Sequence, residues 1–278
     1  MRDLRLVLTL SAAGFLAGCA GPATRPERIA AAIPVVAPSP LVASVPEPVR
    51  VTPGSGELDR LLRVAPGLDA GVLALALEAR ACAVRNGDVG DDAKLAVIDY
   101  SLPSTEKRLW VFDMAHDTLL FHEHVAHGSG TGDNLARRFS NDDGSHATSL
   151  GLFRTAETYT GGNGYSLRLD GLDPGFNDHA RARAIVMHGA WYVDPGLIRT
   201  QGRLGRSQGC PALRQQVASV VIDSLRQRQL LFAYADDAAF LQRGRSFACD
   251  GRSARAILAD ARARTQGGGH AAGAIAAS

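Results

Sequence analysis

The chain has 278 residues, of which 46% are hydrophobic and 21% charged, a balance found in globular proteins and enough for one sizeable core or two small ones, with one main domain expected. Its 30 basic and 28 acidic residues leave a formal charge of only +2. They are mixed along the sequence, so no strong field marks a nucleic-acid or membrane-lipid partner.

Arg2 and Arg5 give a basic start, Leu6 to Leu16 an apolar run too short to span a bilayer, and small residues follow. This is the pattern of an export signal, expected to occupy residues 1–18. Leu16-Ala17-Gly18-Cys19 also resembles a bacterial lipobox, whose cysteine is lipidated after cleavage; the rival reading is ordinary cleavage near Ala20. With Ala20 after the cysteine, that resemblance implies a periplasmic protein held at the outer membrane by lipid at Cys19 rather than by a helix. Nine of the 13 prolines fall between Pro22 and Pro66, and residues 19–66 are expected to be a disordered Pro/Ala-rich linker, too poor in aromatic residues to offset the entropy of ordering.

Residues 67–93 are expected to form an N-terminal helix packed on the catalytic part, because Leu68, Val72, Leu75 and Ala79 recur at helical spacing and Asn86-Gly87 supplies a stop. Cys82 continues that stripe. Short strands follow at Leu95–Tyr100, Leu109–Met114 and Thr118–Val125, with a turn at Ala115-His116-Asp117. The second of these is apolar on both faces, which implies a sandwich or barrel. Gly128 to Gly164 reads as a long loop-rich stretch with a turn at Asn141-Asp142-Asp143-Gly144, and loops of that length are usually functional. A strand from Ala184 closes at His188-Gly189. After Pro211, Val217, Val220, Val221 and Leu225 predict the buried stripe of a helix, before a strand at Leu230–Tyr234. The main domain is placed at 94–250, and residues 251–278 are expected to be a short helix and a disordered tail from Gly267.

Cys210 lies in Arg206-Ser207-Gln208-Gly209-Cys210-Pro211. A glycine before it and a proline after it suit a thiol at a helix N-terminus, where unpaired N–H groups and the helix dipole favour thiolate. Backbone N–H groups of Gly209 and Cys210 are candidates to hold an oxyanion. His188, closing an apolar strand, is the candidate base. By themselves the two residues also fit a structural histidine and an inert buried thiol.

The stretch Ile185–Leu213, with His188-Gly189 and Ser207-Gln208-Gly209-Cys210, whose cysteine lies 22 positions after His188, closely resembles the signature of the L,D-transpeptidase (YkuD-type) catalytic domain. Leu109-Trp110-Val111-Phe112-Asp113 is similar to the opening hairpin of that fold and Ser149-Leu150-Gly151-Leu152-Phe153 to its middle segment, so the likeness runs from about Lys94 to Ala235. Asp99–Ser104, Gly144-Ser145-His146 and Gly164–Gly171 resemble a divergent branch of murein L,D-transpeptidase catalytic domain proteins. The resemblance implies a mostly β fold with flanking helices, a YkuD-like β-sandwich or barrel. It implies an acyltransferase in which Cys210 attacks a peptidoglycan stem peptide, forms a thioester and passes the acyl group to an amine of a second stem. His188 would be the general base, oriented by a backbone carbonyl near Gly189, and no cofactor is implied. Many members carry arginine two positions after the cysteine, where this chain has Ala212. Arg203, Arg206 and Arg214 are the substitutes by proximity, with plain solvated charges as the rival reading, and Ser207, Gln208 and Tyr165 are further substrate-binding candidates.

The same Cys/His pair would also serve an L,D-carboxypeptidase or endopeptidase, and a non-catalytic wall-binding lipoprotein is a third class. His122 and His124 share a strand face and admit a zinc pair, but no HExxH or paired-cysteine spacing accompanies them, and no metal is expected. Cys82 and Cys249 remain after Cys19 and Cys210 have roles, and an exported compartment permits them to pair. Oligomeric state is not legible.

Overall fold

The structure is a computed structural model that describes residues 55–65 and 67–273. The export signal, Cys19 and the linker up to residue 54 lie outside the described residues, as do residues 274–278. Helix α1 (Ser55–Val64) occupies the end of the segment expected to be linker. Leu58 and Leu61, three apart on one helical face, are buried, and that apolar face gives the segment a packing partner that a linker lacks.

Helix α2 (Ala70–Arg85) starts at Asp69, whose Oδ1 accepts the Val72 N–H at 3.0 Å. It is apolar nearly all round, which suits a helix buried on every side. Its neighbours are α1, helix α6 (Ala254–Gly273) and strands β1 (Leu95–Asp99) and β9 (Leu230–Tyr234). Leu61, Leu73 and Leu75 are fully buried there, each contributing about 2 kcal/mol of apolar transfer. Cys82 and Cys249 are joined in a disulfide with Cα atoms 5.7 Å apart, which ties α2 to the segment leading into α6. That helix is longer than the short one expected and passes through Gly267. Ile257, Leu258 and Ala261 bury its first turns, and a helix propagates readily once its costly nucleus is fixed.

The remaining strands are β2 (Leu109–Asp113), β3 (Thr118–Glu123), β4 (Val125–Ala126), β5 (Gly151–Gly161), β6 (Gly164–Gly171), β7 (Val186–Ala190) and β8 (Ala212–Arg214). The nine strands among the described residues form one sheet in the order β3-β2-β1-β9-β5-β6-β7-β8-β4. Strands β3 and β4 hold opposite edges, yet only His124 separates them in sequence. The two edges therefore meet, and the sheet is a nearly closed barrel. Leu109 to Phe112 are buried on both faces, as the sandwich-or-barrel expectation requires.

Several element limits differ from the sequence reading. The third strand breaks at His124 because the chain passes there from one edge of the sheet to the other. The stretch from Gly128 to Gly164 is loop only to Leu150; β5 and β6 then form a long hairpin around Gly162-Asn163, with Gly161 opposite Gly164. Its outer arms carry Thr, Tyr, Arg and Ser, so no apolar alternation marks them. Strand β7 continues through His188 to Ala190. In α4 (Gln215–Leu225) the buried stripe is Ala218, Val221, Ile222 and Leu225, whereas Val220 is exposed; the stripe is centred on the 218-221-222-225 face, and Val220 lies off it.

Candidate active site

Strands β7 and β8 are parallel, with His188 opposite Ala212 and Gly189 opposite Leu213. Parallel neighbours need a crossover of a dozen or more residues, and the connection containing α3 (Pro195–Gln201) supplies it. This accounts for the long spacing between His188 and Cys210. Two residues before Ala212, Cys210 lies alongside Val186, whose N–H points at Sγ from 3.5 Å, and Sγ stands 3.9 Å from the Ala184 carbonyl oxygen. Val186 and His188 share a face of β7, so the thiol, in the bend just before β8, lies beside the strand that carries the imidazole. Both are buried, at 7% and 4% exposure.

Cys210 is not at a helix N-terminus. Residues 212–214 are held extended by β7 on one side and by β4 on the other, where Val125 faces Leu213 and Ala126 faces Ala212, and α4 begins only at Gln215. The thiol therefore has no helix dipole to help it. Burial pushes its pKa up, while the Val186 N–H and the nearby Arg183 cation act in the opposite direction.

Gly209 adopts φ +115°, and a Cβ there would stand 2.9 Å from the Ala147 carbonyl oxygen and from Ile185 Cδ1, so the turn that presents Cys210 requires glycine. Its N–H is not free for an oxyanion. It donates to Ser207 Oγ at 3.1 Å, and that hydroxyl donates to the Cys210 carbonyl at 2.6 Å. Ser207 thus braces the turn from within, and the Cys210 N–H is left as the candidate oxyanion donor.

His188 Nδ1 lies 3.0 Å from the Gly189 carbonyl oxygen. An oxygen can only accept, so the tautomer assigned is Nδ1–H, which leaves the Nε2 lone pair as a base. Burial lowers the His188 pKa from its usual value, and the Gly189 carbonyl partly offsets this. Gly189 also lets α4 pack closely: a Cβ there would meet Ala218 Cβ at 2.9 Å.

The substitute arginines are engaged elsewhere. Arg214 forks onto Glu123 at 2.9 and 2.7 Å, Arg206 binds Asp133 at 2.9 Å and the Gly132 carbonyl, and Arg203 donates to the Leu204 carbonyl at 2.8 Å. Gln208 is exposed beside the turn. Tyr165 is not brought to Cys210: its hydroxyl donates to Asp223 Oδ1 on α4 at 2.7 Å, and Ser166, on the opposite face of β6, is the residue across from His188.

Sequence reasoning missed the polar layer beneath the turn. Thr148 Oγ1 accepts the Gly128 N–H at 2.9 Å and donates to the Gly209 carbonyl at 3.4 Å. Fully buried Arg108 donates to His127 Nδ1 at 2.7 Å and to the Val125 and Leu102 carbonyls, and the His127 carbonyl accepts the Ser207 N–H at 3.0 Å. Desolvation and the Arg108 charge push the His127 pKa down to about 4. Tyr192 lies close enough for Cys210 to reinforce a pKa pushed up, mainly by burial, to about 12. The one signal for any of these was the histidine-dense run that includes His127. In that run His122 stacks on Trp110 with centroids 4.9 Å apart and lies 3.0 Å from the Lys107 carbonyl, and His124 lies 3.2 Å from the Glu106 carbonyl. Among the described residues no group of three or more His, Cys, Asp or Glu stands where it could hold a metal ion.

Among solved structures, the chain is similar to the LD transpeptidase LdtMt1 in complex with imipenem (15% identity, TM-score 0.32) and to an L,D-transpeptidase from Mycobacterium smegmatis (15%, 0.32), covering 51% of this chain and 59% of the other in both cases. A third is L,D-transpeptidase (Yku) from Stackebrandtia nassauensis (12%, 0.33), with 66% of this chain and 93% of that one covered. The chain thus spans less than two thirds of the first two. No curated protein matches it. The model of the L,D-transpeptidase catalytic domain matches residues 65–234, which take in β1 to β9 and both His188 and Cys210. With more than half of its length matched, this chain belongs to the L,D-transpeptidase catalytic domain family.

Proposed function

We propose that the chain is a peptidoglycan L,D-transpeptidase that joins stem peptides through a thioester on Cys210. The observation that carries this reading is that Cys210, the one free cysteine among the described residues, lies against Val186 on β7, two residues before His188, whose Nδ1–H is held by the Gly189 carbonyl. His188 Nε2 takes the thiol proton as Sγ attacks a stem-peptide carbonyl. The tetrahedral oxyanion accepts a hydrogen bond from the Cys210 N–H. On collapse the leaving amine takes the proton from the imidazolium and the thioester remains. An amine of a second stem then attacks it, gives a proton to His188, and releases the cross-link as the thiolate leaves and is reprotonated.

Incubating the purified chain with defined muropeptides, with products read by mass, tests this. A product joining two stems is expected, and Cys210→Ala should remove turnover while leaving the melting temperature unchanged. Products that gain water instead would make the chain a peptidase working with the same pair. Undiminished turnover in C210A would remove the nucleophile assignment. A carbapenem adduct on the Cys210 peptide is a second readout. The proposal extends to export and a lipid anchor on Cys19, for which the mass of the mature N-terminal peptide decides: a lipid-bearing Cys19 is expected, and an unmodified start near Ala20 would give a soluble secreted form.

A further inference from the structure

Few charges face Cys210. Tyr100 and Tyr192 are kept neutral by burial, which raises the pKa of both, and His188 is a neutral base. The cation that acts on the thiol is Arg183, on the turn leading into β7. Its Nη1 donates to the Ser140 carbonyl at 2.9 Å and to Ser149 Oγ at 2.6 Å, and its Nη2 to Ser145 Oγ at 3.0 Å and to the Ala147 carbonyl at 2.9 Å. All four partners lie on the 140–149 loop and all are neutral. Asp142 and Asp143 act on the guanidinium only from a distance, and among the described residues no carboxylate forms an ion pair with it. The same guanidinium reaches under the nucleophile turn: Nη2 is 3.5 Å from where a Cβ on Gly209 would stand. Arg206 and Arg214, by contrast, have their charges matched by Asp133 and Glu123.

We propose that Arg183 is the positioning residue that makes Cys210 reactive: latched across the 140–149 loop and lodged under Gly209, it supplies the positive charge that holds the thiolate after His188 takes the proton. The inference rests on the reading of Cys210 as nucleophile. Arg183 moves no proton; the proton passes from Sγ to His188 Nε2, and the guanidinium stays charged throughout. A partly buried cation without a carboxylate is costly until an anion forms beside it, and here the anion is made by the reaction. Arginine suits the task because its planar fork satisfies four acceptors while keeping its charge. The position is on the turn leading into the histidine's strand, so it needs no arginine after the cysteine, where this chain has Ala212.

The test is the rate of iodoacetamide alkylation of Cys210 across pH 5–10 in the full chain, read by mass on the Cys210 peptide so that Cys19 does not interfere. An opposite charge at this range moves a pKa by about one unit or more. Arg183→Gln should therefore raise the alkylation midpoint by about one pH unit and slow alkylation at pH 7 about tenfold, with muropeptide turnover falling in parallel. Arg183→Lys, which keeps the charge and loses part of the latch, should keep the midpoint near that of the parent. A folded R183Q with an unmoved midpoint would overturn the proposal. If R183Q does not fold, R183K decides: a midpoint near the parent's supports the charge, and a shift of about one unit assigns the effect to loop geometry and overturns it. Muropeptide turnover by the parent is independent of this readout. A parent that turns nothing over but has an Arg183-dependent thiol would sink the proposed function and leave this inference standing.

Discussion

Around α2, strands β1, β2 and β9 bury Val97, Trp110 and Phe232 together with Leu73 and Leu75, and the chain there follows apolar periodicity. Around Cys210 the chain is positioned instead by single side chains that reach backbone atoms: Ser207 to Cys210, Thr148 to Gly209, Arg108 to Val125, Arg183 to Ala147. The first region is stabilised in proportion to area removed from water. The second depends on geometry, because each buried polar group left without its partner costs about 1–3 kcal/mol. A barrel built this way has one flank that tolerates volume-conserving change and another in which a single atom displaced by an ångström misplaces the nucleophile.

The sharpest way to break that contrast is in the apolar flank. Phe232 is fully buried, with its ring 6.3 Å from that of Phe240 on α5 (Ala238–Arg243). Phe232→Ala should cost about 4 kcal/mol of stability, measured as a drop in the urea midpoint, while the folded fraction keeps the parent's Cys210 alkylation rate. If alkylation slows as well, the two flanks are not separable.

Acid should find the polar flank first. His127 is fully buried and accepts the Arg108 N–H, and its pKa in the fold is about 4 against about 6.5 unfolded. A depressed histidine pKa means that stability is fully present above pH 6.5 and is lost as pH falls toward 4, where the unfolded chain binds the proton more readily. That loss is about 3 kcal/mol. His127→Gln keeps an acceptor for Arg108 and cannot titrate, so its urea midpoint should fall less than the parent's between pH 7 and pH 4. Equal falls would show that His127 is not what makes this flank acid-sensitive.

The same contrast explains what was legible beforehand. The β1, β2 and β9 strands and helix α2 were readable because Leu, Val and Phe repeat at strand or helix spacing, and burial follows repetition. His188 and Cys210 were readable through local chemistry and the family signature. The helix N-terminus assigned to Cys210 was wrong because a proline suits a strand entry as well as a first helical turn, and only the ladders to β4 and β7, which bring distant segments together, decide between them. The Gly209 N–H was misassigned because Ser207 captures it, which no spacing rule announces. Tyr165 was offered as a substrate-binding residue with no spacing rule behind it, and the face of β6 sends it to Asp223 on α4. Arg183, Thr148 and Arg108 left no signal because each is defined by the carbonyls it reaches.

The smallest expected effect separates the flank's stability from its chemistry. His188 must be neutral to accept the Cys210 proton, and burial lowers its pKa from 6.5. The acid limb of kcat/KM for muropeptide turnover should therefore have its midpoint below pH 6.5, with activity present above it and lost as pH falls through it. Acid unfolding through His127 would produce a limb of the same sign. The two are distinguished in H127Q, where the stability loss shrinks while a limb set by His188 stays where it was. A limb that moves with H127Q would mean that the polar flank opens before His188 is protonated. A limb above pH 6.5 would require an anion beside His188 that raises its pKa, and the thiolate of Cys210, alongside β7, is a group able to supply one. In that case the resting pair would be thiolate and imidazolium, and Arg183 would share the thiolate with His188 before any substrate arrives.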